Sequence, residues 1–254
     1  MRLINKVAIV TGAGRGIGCQ IALSLSREGA AIVAADIAKE SAVQTAQTIN
    51  DNGGKAMGVS VDIRNSQQIA HTISETIREF GSLDILVNNA GVGHNKAFLE
   101  IPLSEWQDVI DVNLTGTFLF SQAAALKMKD AGSGKIINIA STSGERGGHG
   151  RAAYGASKAG IILLTKVMAA ELTHFGINVN AISPGPVDTI MSRQCHDDAT
   201  RTAYHRLIPA NRYGKEAEIA DAVVFLSSEE SSWIAGHTLN VDGGFGAAGL
   251  MMEE

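Results

Sequence analysis

Tyr154 and Lys158 stand four residues apart in "AAYGASKAGIILLTK" (152–166), a stretch otherwise built from small and aliphatic side chains. A helix turns about 100° per residue, so a phenol and an ammonium at this spacing project from one face within mutual reach. A free phenol titrates near pH ~10, too high to accept a proton at neutrality. An adjacent cation favours phenolate, and a fall of about two to three pH units corresponds to roughly 3–4 kcal/mol. Such a pair could carry a proton to or from an alcohol oxygen. Taken alone, it is also simply a phenol packed on a lysine stem.

A second motif is "TGAGRGIG" (11–18). Gly12, Gly16 and Gly18 let a backbone turn sharply and bring amide groups against a pyrophosphate at a helix N-terminus. The spacing departs from G-x-G-x-x-G because Ile17 occupies the last glycine position. Asp36 follows eighteen residues beyond Gly18. Its carboxylate suits the hydroxyls of an adenosine ribose and repels a 2′-phosphate, so NAD is preferred over NADP. Arg15 is the counter-signal, since a guanidinium in the glycine loop can pair with that phosphate.

These residues need a scaffold, and the pattern supplies one. Strand-like runs at 7–11, 31–35, 56–61, 84–88, 135–140, 177–183 and 237–241 alternate with helical periodicity at 16–28, 39–52, 66–80, 104–130, 153–174 and 216–228. Ser104 is expected as an N-cap with Glu105 behind it, and Gly29 and Gly81 close the first and third helices. The alternation predicts an α/β fold: a doubly wound, seven-stranded parallel sheet in three layers, one domain over 1–254. Ligands of such sheets bind beyond the carboxyl ends of the strands, where both motifs lie.

Composition narrows the partners. A net charge of −5 without a Lys/Arg tract disfavours nucleic acid and anionic membranes. Cys19 and Cys195 lie in no metal-binding spacing, so no metal is expected, and they read as reduced thiols of a cytoplasmic protein. The opening "MRLINKVAIVTG" runs directly into a strand, and no apolar stretch is expected to span a bilayer.

The chain resembles the short-chain dehydrogenase/reductase superfamily, in its compact branch of Rossmann-fold enzymes. The resemblance rests on "TGAGRGIG", Asp62 after the third strand, "NNAG" (88–91), Asn113 in "DVNLTG", Ser141 in "INIAS", "YGASK" (154–158), "SPGPVDT" (183–189) and "LNVDGG" (239–244). It implies that Asp62 and Ile63 hold an adenine ring, that Asn89, Ala90 and Gly91 pass beside the cofactor ribose, and that Pro184, Gly185, Val187 and Thr189 clamp the nicotinamide. It further implies direct hydride transfer. Tyr154 exchanges the proton, aided by the positive nicotinamide, Ser141 stabilises the substrate oxygen, and Lys158 also holds the nicotinamide ribose. Asn113 bends its helix to complete a water-linked proton route, and Ser143 is a second serine near the reacting centre.

The expected substrate is a small alcohol or ketone. Segment 190–214 has the position of a substrate lid and carries Arg193, His196, Arg201, His205, Arg206 and Arg212. Arg146, His149 and Arg151 lie between Ser141 and Tyr154, and His94 and Lys96 lie near the same mouth. This cationic rim suits a polyol, sugar acid or hydroxy acid, although solvated charges that never touch ligand are an equal reading. Ketoreductases acting on 3-oxoacyl groups of a carrier protein are the rival, yet Gly132 and Phe175 occupy the positions where those enzymes usually show carrier-docking arginines. A silent NAD(H)-sensing protein is a third possibility. Surplus apolar residues on helices 104–130 and 153–174 point to a subunit interface or to deeper burial within one subunit; the resemblance implies a homotetramer, and the tail 245–254 is left open between packing and fraying.

Overall fold

The computed structural model describes residues 1–249, apart from the side chains of 191, 194 and 195; residues 250–254 of the tail lie outside the described residues. Seven parallel strands form one sheet in the order β3-β2-β1-β4-β5-β6-β7. They are β1 (Val7–Thr11), β2 (Ala31–Asp36), β3 (Ala56–Ser60), β4 (Ile85–Asn88), β5 (Gly134–Ile139), β6 (Ile177–Pro184) and β7 (Thr238–Val241). The order reverses between β1 and β4, opening a crevice at the carboxyl ends of the central strands.

Helices cover both faces, so the central strands are apolar on both sides and β1, "VAIVT", is buried throughout. Alternation sorts their residues. Ala8 and Val10 pack beneath α1 (Gly16–Arg27) and α9 (Glu216–Ser227). Ile9, Leu86, Ile136 and Val179 face the opposite layer, which contains α3 (Ser66–Phe80), α5 (Gly116–Ala131) and α6 (Ala152–Leu172). The remaining helices are α2 (Lys39–Asp51), α4 (Leu103–Ile110), α7 (Ile190–Cys195) and α8 (Asp198–Leu207).

The strand predictions hold to within a residue, but three helical expectations change. Pro102, not Ser104, is the N-cap of α4, and its carbonyl accepts from the amides of Glu105 and Trp106. The helix expected at 104–130 is interrupted by a π-turn, Asp111–Thr115, which joins α4 to α5. The whole run Leu103–Ala131 is also long and apolar enough by composition to cross a membrane. Its buried side instead faces the protein, with Phe120, Ala124 and Met128 in the core. The lid is largely helical, as α7 and α8.

A polar network ties the layers together beneath the crevice. Asn88 Nδ2 donates to Ser121 Oγ and Asn138 Oδ1, both at 2.8 Å, and Asn138 Nδ2 donates to Thr165 Oγ1 at 2.9 Å. All four residues are buried, so losing one partner would strand another at a cost of about 1–3 kcal/mol. The network thereby fixes β4 and β5 against α5 and α6.

Candidate active site

The glycine loop leaves β1 and opens α1. Gly12 has φ +64°, and a Cβ there would come within 2.8 Å of Ala90 Cα; a Cβ at Gly18 would overlap the carbonyl oxygen of Gly12. Only glycine fits this close approach. Arg15 is the exposed N-cap of α1 and makes no side-chain cap bond, while Ile17 packs into the core beside the loop. The first-turn amides of α1 therefore have no side-chain acceptor at the cap, and the helix dipole adds positive character there. This cradle fits a pyrophosphate. Gly16 has φ +60°, and a Cβ there would lie 3.6 Å from Glu216 Oε1.

Asp36 lies at the end of β2, where its Oδ2 accepts from Gly14 N at 2.9 Å and its Oδ1 from Ala38 N at 3.0 Å. Each oxygen keeps acceptor capacity for a ribose hydroxyl. Gly14 was missed in the sequence analysis, although it is the second glycine of the motif, and so was Thr11. Thr11 Oγ1 accepts from the amides of Asn89 and Ala90 at 3.0 and 3.1 Å. Asn89 Nδ2 in turn donates to the carbonyls of Thr11 and Gly12. The Asn89 side chain thus braces the loop, whereas Gly91 lies beside the catalytic candidates, near Asn113 and Lys158.

Two implied cofactor contacts look different in three dimensions. Asp62 is engaged by Arg64, whose Nε and Nη2 donate to it at 2.8 to 3.1 Å and whose amide donates to Oδ1 at 2.9 Å. The Arg64 hydrogen bond holds the Asp62 carboxyl below its ordinary range, and an adenine amine would have to compete with that guanidinium. Ile63 is buried under Gly116. Thr189 caps α7, its Oγ1 accepting from Ser192 N at 3.1 Å, so its hydroxyl proton and one remaining lone pair are left to offer a ligand. Pro184 ends β6, Gly185 N donates to Val241 O, and Val187 is buried.

Ser141, Tyr154 and Lys158 converge at the carboxyl end of β5. Ser141 follows the strand, and its Oγ accepts from Ser143 N at 3.1 Å. Lys158 is 4% exposed; its Nζ donates to Ile139 O at 2.7 Å and stands 5.6 Å from the centre of the Tyr154 ring. It has no carboxylate partner among the described residues, and burial lowers its pKa to about 8.

Burial pushes the Tyr154 phenol above its ordinary value, opposed by a hydrogen bond with Ser141 and the charge of Arg151. This corrects the expectation of a phenol already made acidic by its lysine. Removal from water outweighs that hydrogen bond and the Arg151 charge.

Asn113 sits fully buried in the π-turn. Its amide pairs with both backbone groups of Val92 at 2.8 and 2.9 Å and donates to Ser157 Oγ at 3.0 Å. The π-turn distorts the helix that carries it, and its side chain couples α6 to the loop after β4.

The rim mostly neutralises itself. Arg193 and Arg201 share Asp188, Arg212 pairs with Glu218, and Lys96 pairs with Glu105. Arg146 donates to Phe245 O at 2.9 Å and lies over that ring, so the described start of the tail is packed. His94 and His149 are exposed. Arg151 lies against the site, 5.7 Å from the Tyr154 ring centre and in contact with His196 of the lid. A cleft of about 510 Å³ runs along the loop before α6 and is lined by Ser143, Arg146, His149 and Arg151; neither Ser141 nor Tyr154 borders it.

The family model described as enoyl-(acyl carrier protein) reductase matches residues 12–246. The 3-oxoacyl-(acyl-carrier-protein) reductase of Vibrio cholerae is 40% identical over 244 residues, covering 96% of this chain and 98% of that protein. Two similar solved structures each have a TM-score of 0.94. A putative gluconate dehydrogenase from Agrobacterium tumefaciens is 36% identical, with 97% of this chain and 98% of that chain covered. A gluconate 5-dehydrogenase from Burkholderia cenocepacia, in complex with NADP and tartrate, is 37% identical and covers 97% of each chain.

Proposed function

The chain belongs to the short-chain dehydrogenase/reductase family, and from that premise we propose that it moves a hydride between NAD(H) and a secondary alcohol or ketone on a polar or anionic substrate, such as a polyol, sugar acid or hydroxy acid. The observation that carries this reading is the convergence of Ser141, Tyr154 and a buried Lys158 without a carboxylate partner among the described residues. A cation left uncompensated in a protein interior is costly, and a neighbouring group that becomes anionic during reaction explains its retention.

The dinucleotide, when bound, accepts or supplies the hydride. The glycine loop with α1 would hold its pyrophosphate, and Asp36 its adenosine ribose. Asp36 favours NAD; Arg15 and the NADP in the Burkholderia structure favour the phosphorylated form. Ser141 holds the substrate oxygen. Tyr154 takes the alcohol proton in oxidation and returns it in reduction. Lys158, whose Nζ stands 5.6 Å from the ring centre, would favour the phenolate against the burial that otherwise keeps the proton on. Thr189 and the backbone near Gly185 would orient the nicotinamide end, and Asn113 keeps α6 in register.

The carrier-protein reductase reading is favoured by the identity to the Vibrio enzyme. Against it stand Gly132, which closes α5 at φ +71°, and Phe175, whose ring lies under Lys129. The deciding experiment follows NAD(H) and NADP(H) at 340 nm with D-gluconate, tartrate, D-glucitol and acetoacetyl-coenzyme A. Oxidation of the hydroxy acids or polyol with NAD supports the first reading. Reduction of the thioester alone moves the assignment to the second, and dinucleotide binding without turnover to a sensor. Exposed Phe118 and Leu126 on α5, with Leu163 and Val167 on α6, support homotetramer assembly, measurable by sedimentation.

A further inference from the structure

The lid and the catalytic helix meet through one cation. Arg151, the N-cap of α6, points Nη2 at His196 Nε2 across 3.1 Å, while His196 Nδ1 lies 3.0 Å from Tyr213 Oη. A guanidinium only donates, so Nε2 accepts and the imidazole is neutral, with its proton on Nδ1 directed at the phenol oxygen. The ring stacks on Tyr204 at 5.0 Å, and Tyr204 packs against Tyr213 and Phe245. A neutral imidazole nitrogen is a weak counterpart for a guanidinium, which forms its strongest, two-pronged bonds with a carboxylate.

Other lid arginines already have such counterparts: Asp188 serves Arg193 and Arg201, and Glu218 serves Arg212. Arg151 has none among the described residues and lies 5.7 Å from the centre of the Tyr154 ring. It also helps line the 510 Å³ cleft with Arg146 and His149.

We propose that Arg151 is a specificity-determining residue that receives a carboxylate of the substrate, exchanging its contact with His196 for the anion. The inference rests on the reading of the protein as an oxidoreductase for anionic hydroxy compounds. It adds that the anion is read from the catalytic helix itself, next to the group that exchanges the proton. His196 is then a placeholder that orders the lid while the anion is away.

The test uses the full-length protein loaded with NADH, which forms a complex with an alcohol that cannot turn over. Calorimetry measures binding of D-gluconate, tartrate and D-glucitol to wild type, Arg151→Gln, Arg151→Lys and His196→Ala, alongside kcat/KM for each compound with NAD. A lost charge-assisted bond predicts that Arg151→Gln lowers the preference for gluconate over glucitol about 10- to 100-fold, with partial recovery in Arg151→Lys. Because Arg151 also biases the Tyr154 phenol, absolute rates change for both compounds, and the ratio isolates the carboxylate. His196→Ala should bind the acids as well as wild type or more tightly.

Unchanged acid preference in Arg151→Gln overturns the proposal and leaves the hydroxy-acid reading intact. So does an equal loss of acid binding in His196→Ala, which would make the contact, not the cation, responsible. No carboxylate binding by wild type overturns the proposal, and turnover of glucitol in that case preserves the dehydrogenase chemistry. Arg151-dependent acid binding without oxidation of any acid sustains the anion site and removes the hydroxy acid as substrate.

Discussion

Replacing Lys158 with methionine should stabilise the protein while disabling it. The side chain is 4% exposed, makes one hydrogen bond, to Ile139 O, and has no carboxylate within ion-pair distance among the described residues. Burial lowers its pKa from 10.5 to about 8, a difference worth ~3 kcal/mol at 1.36 kcal/mol per pH unit. Below pH 8 the lysine is charged in both folded and unfolded chains, so the folded state carries the whole penalty. Between about pH 8 and 10.5 the folded protein loses this proton first, the unfolded chain binds more protons, and the contribution to stability rises with pH. Methionine retains much of the apolar stem and removes the charge. Subtracting about 1–2 kcal/mol for the lost bond to Ile139 leaves a net gain of ~1–2 kcal/mol at pH 7. Urea denaturation of dinucleotide-free wild type and variant, at one protein concentration and several pH values, measures this directly. The advantage of the variant should shrink as pH climbs from 8 to 10.5, while its turnover stays lower by about 10²- to 10⁴-fold. A variant less stable than wild type at pH 7, or a stability difference indifferent to pH, would refute the argument that Lys158 is a destabilising buried cation.

Tyr154→Phe should keep dinucleotide affinity and lose turnover by about 10²- to 10⁴-fold, as separate binding and rate measurements would reveal. Because burial raises the phenol, ultraviolet titration of the unliganded protein should show Tyr154 ionising above the ordinary phenol range, and saturating NAD should lower its onset. Gly18→Ala puts a methyl group against Gly12 O and Asn89 Nδ2; it should weaken dinucleotide binding at least tenfold and destabilise the fold by about 1–3 kcal/mol in a melt. Asp36→Asn removes the charge that repels a 2′-phosphate and should shift the NAD/NADP ratio of kcat/KM toward NADP by about tenfold or more; an unmoved ratio would place cofactor choice elsewhere.

Local rules account for what the chain reveals without coordinates. The central strands were legible because parallel strands buried on both faces read as short apolar runs. The glycine loop and the Tyr154–Lys158 pair were legible because each is a spacing within a single turn or helix, determined by backbone geometry. What only the tertiary structure decided is the company each group keeps. Asp62 is claimed by Arg64, Thr189 is used as a cap, and Arg193 goes to Asp188, contacts that depend on side-chain geometry rather than on the motif containing them. The interior environment of Lys158 and Tyr154 belongs to the same class, and so does the meeting of Arg151 with His196, 45 residues away. Desolvation and pairing are properties of the packed chain. Residue types and spacing therefore pointed to the candidate groups, while folding set their surroundings and left Arg151 without a carboxylate partner among the described residues.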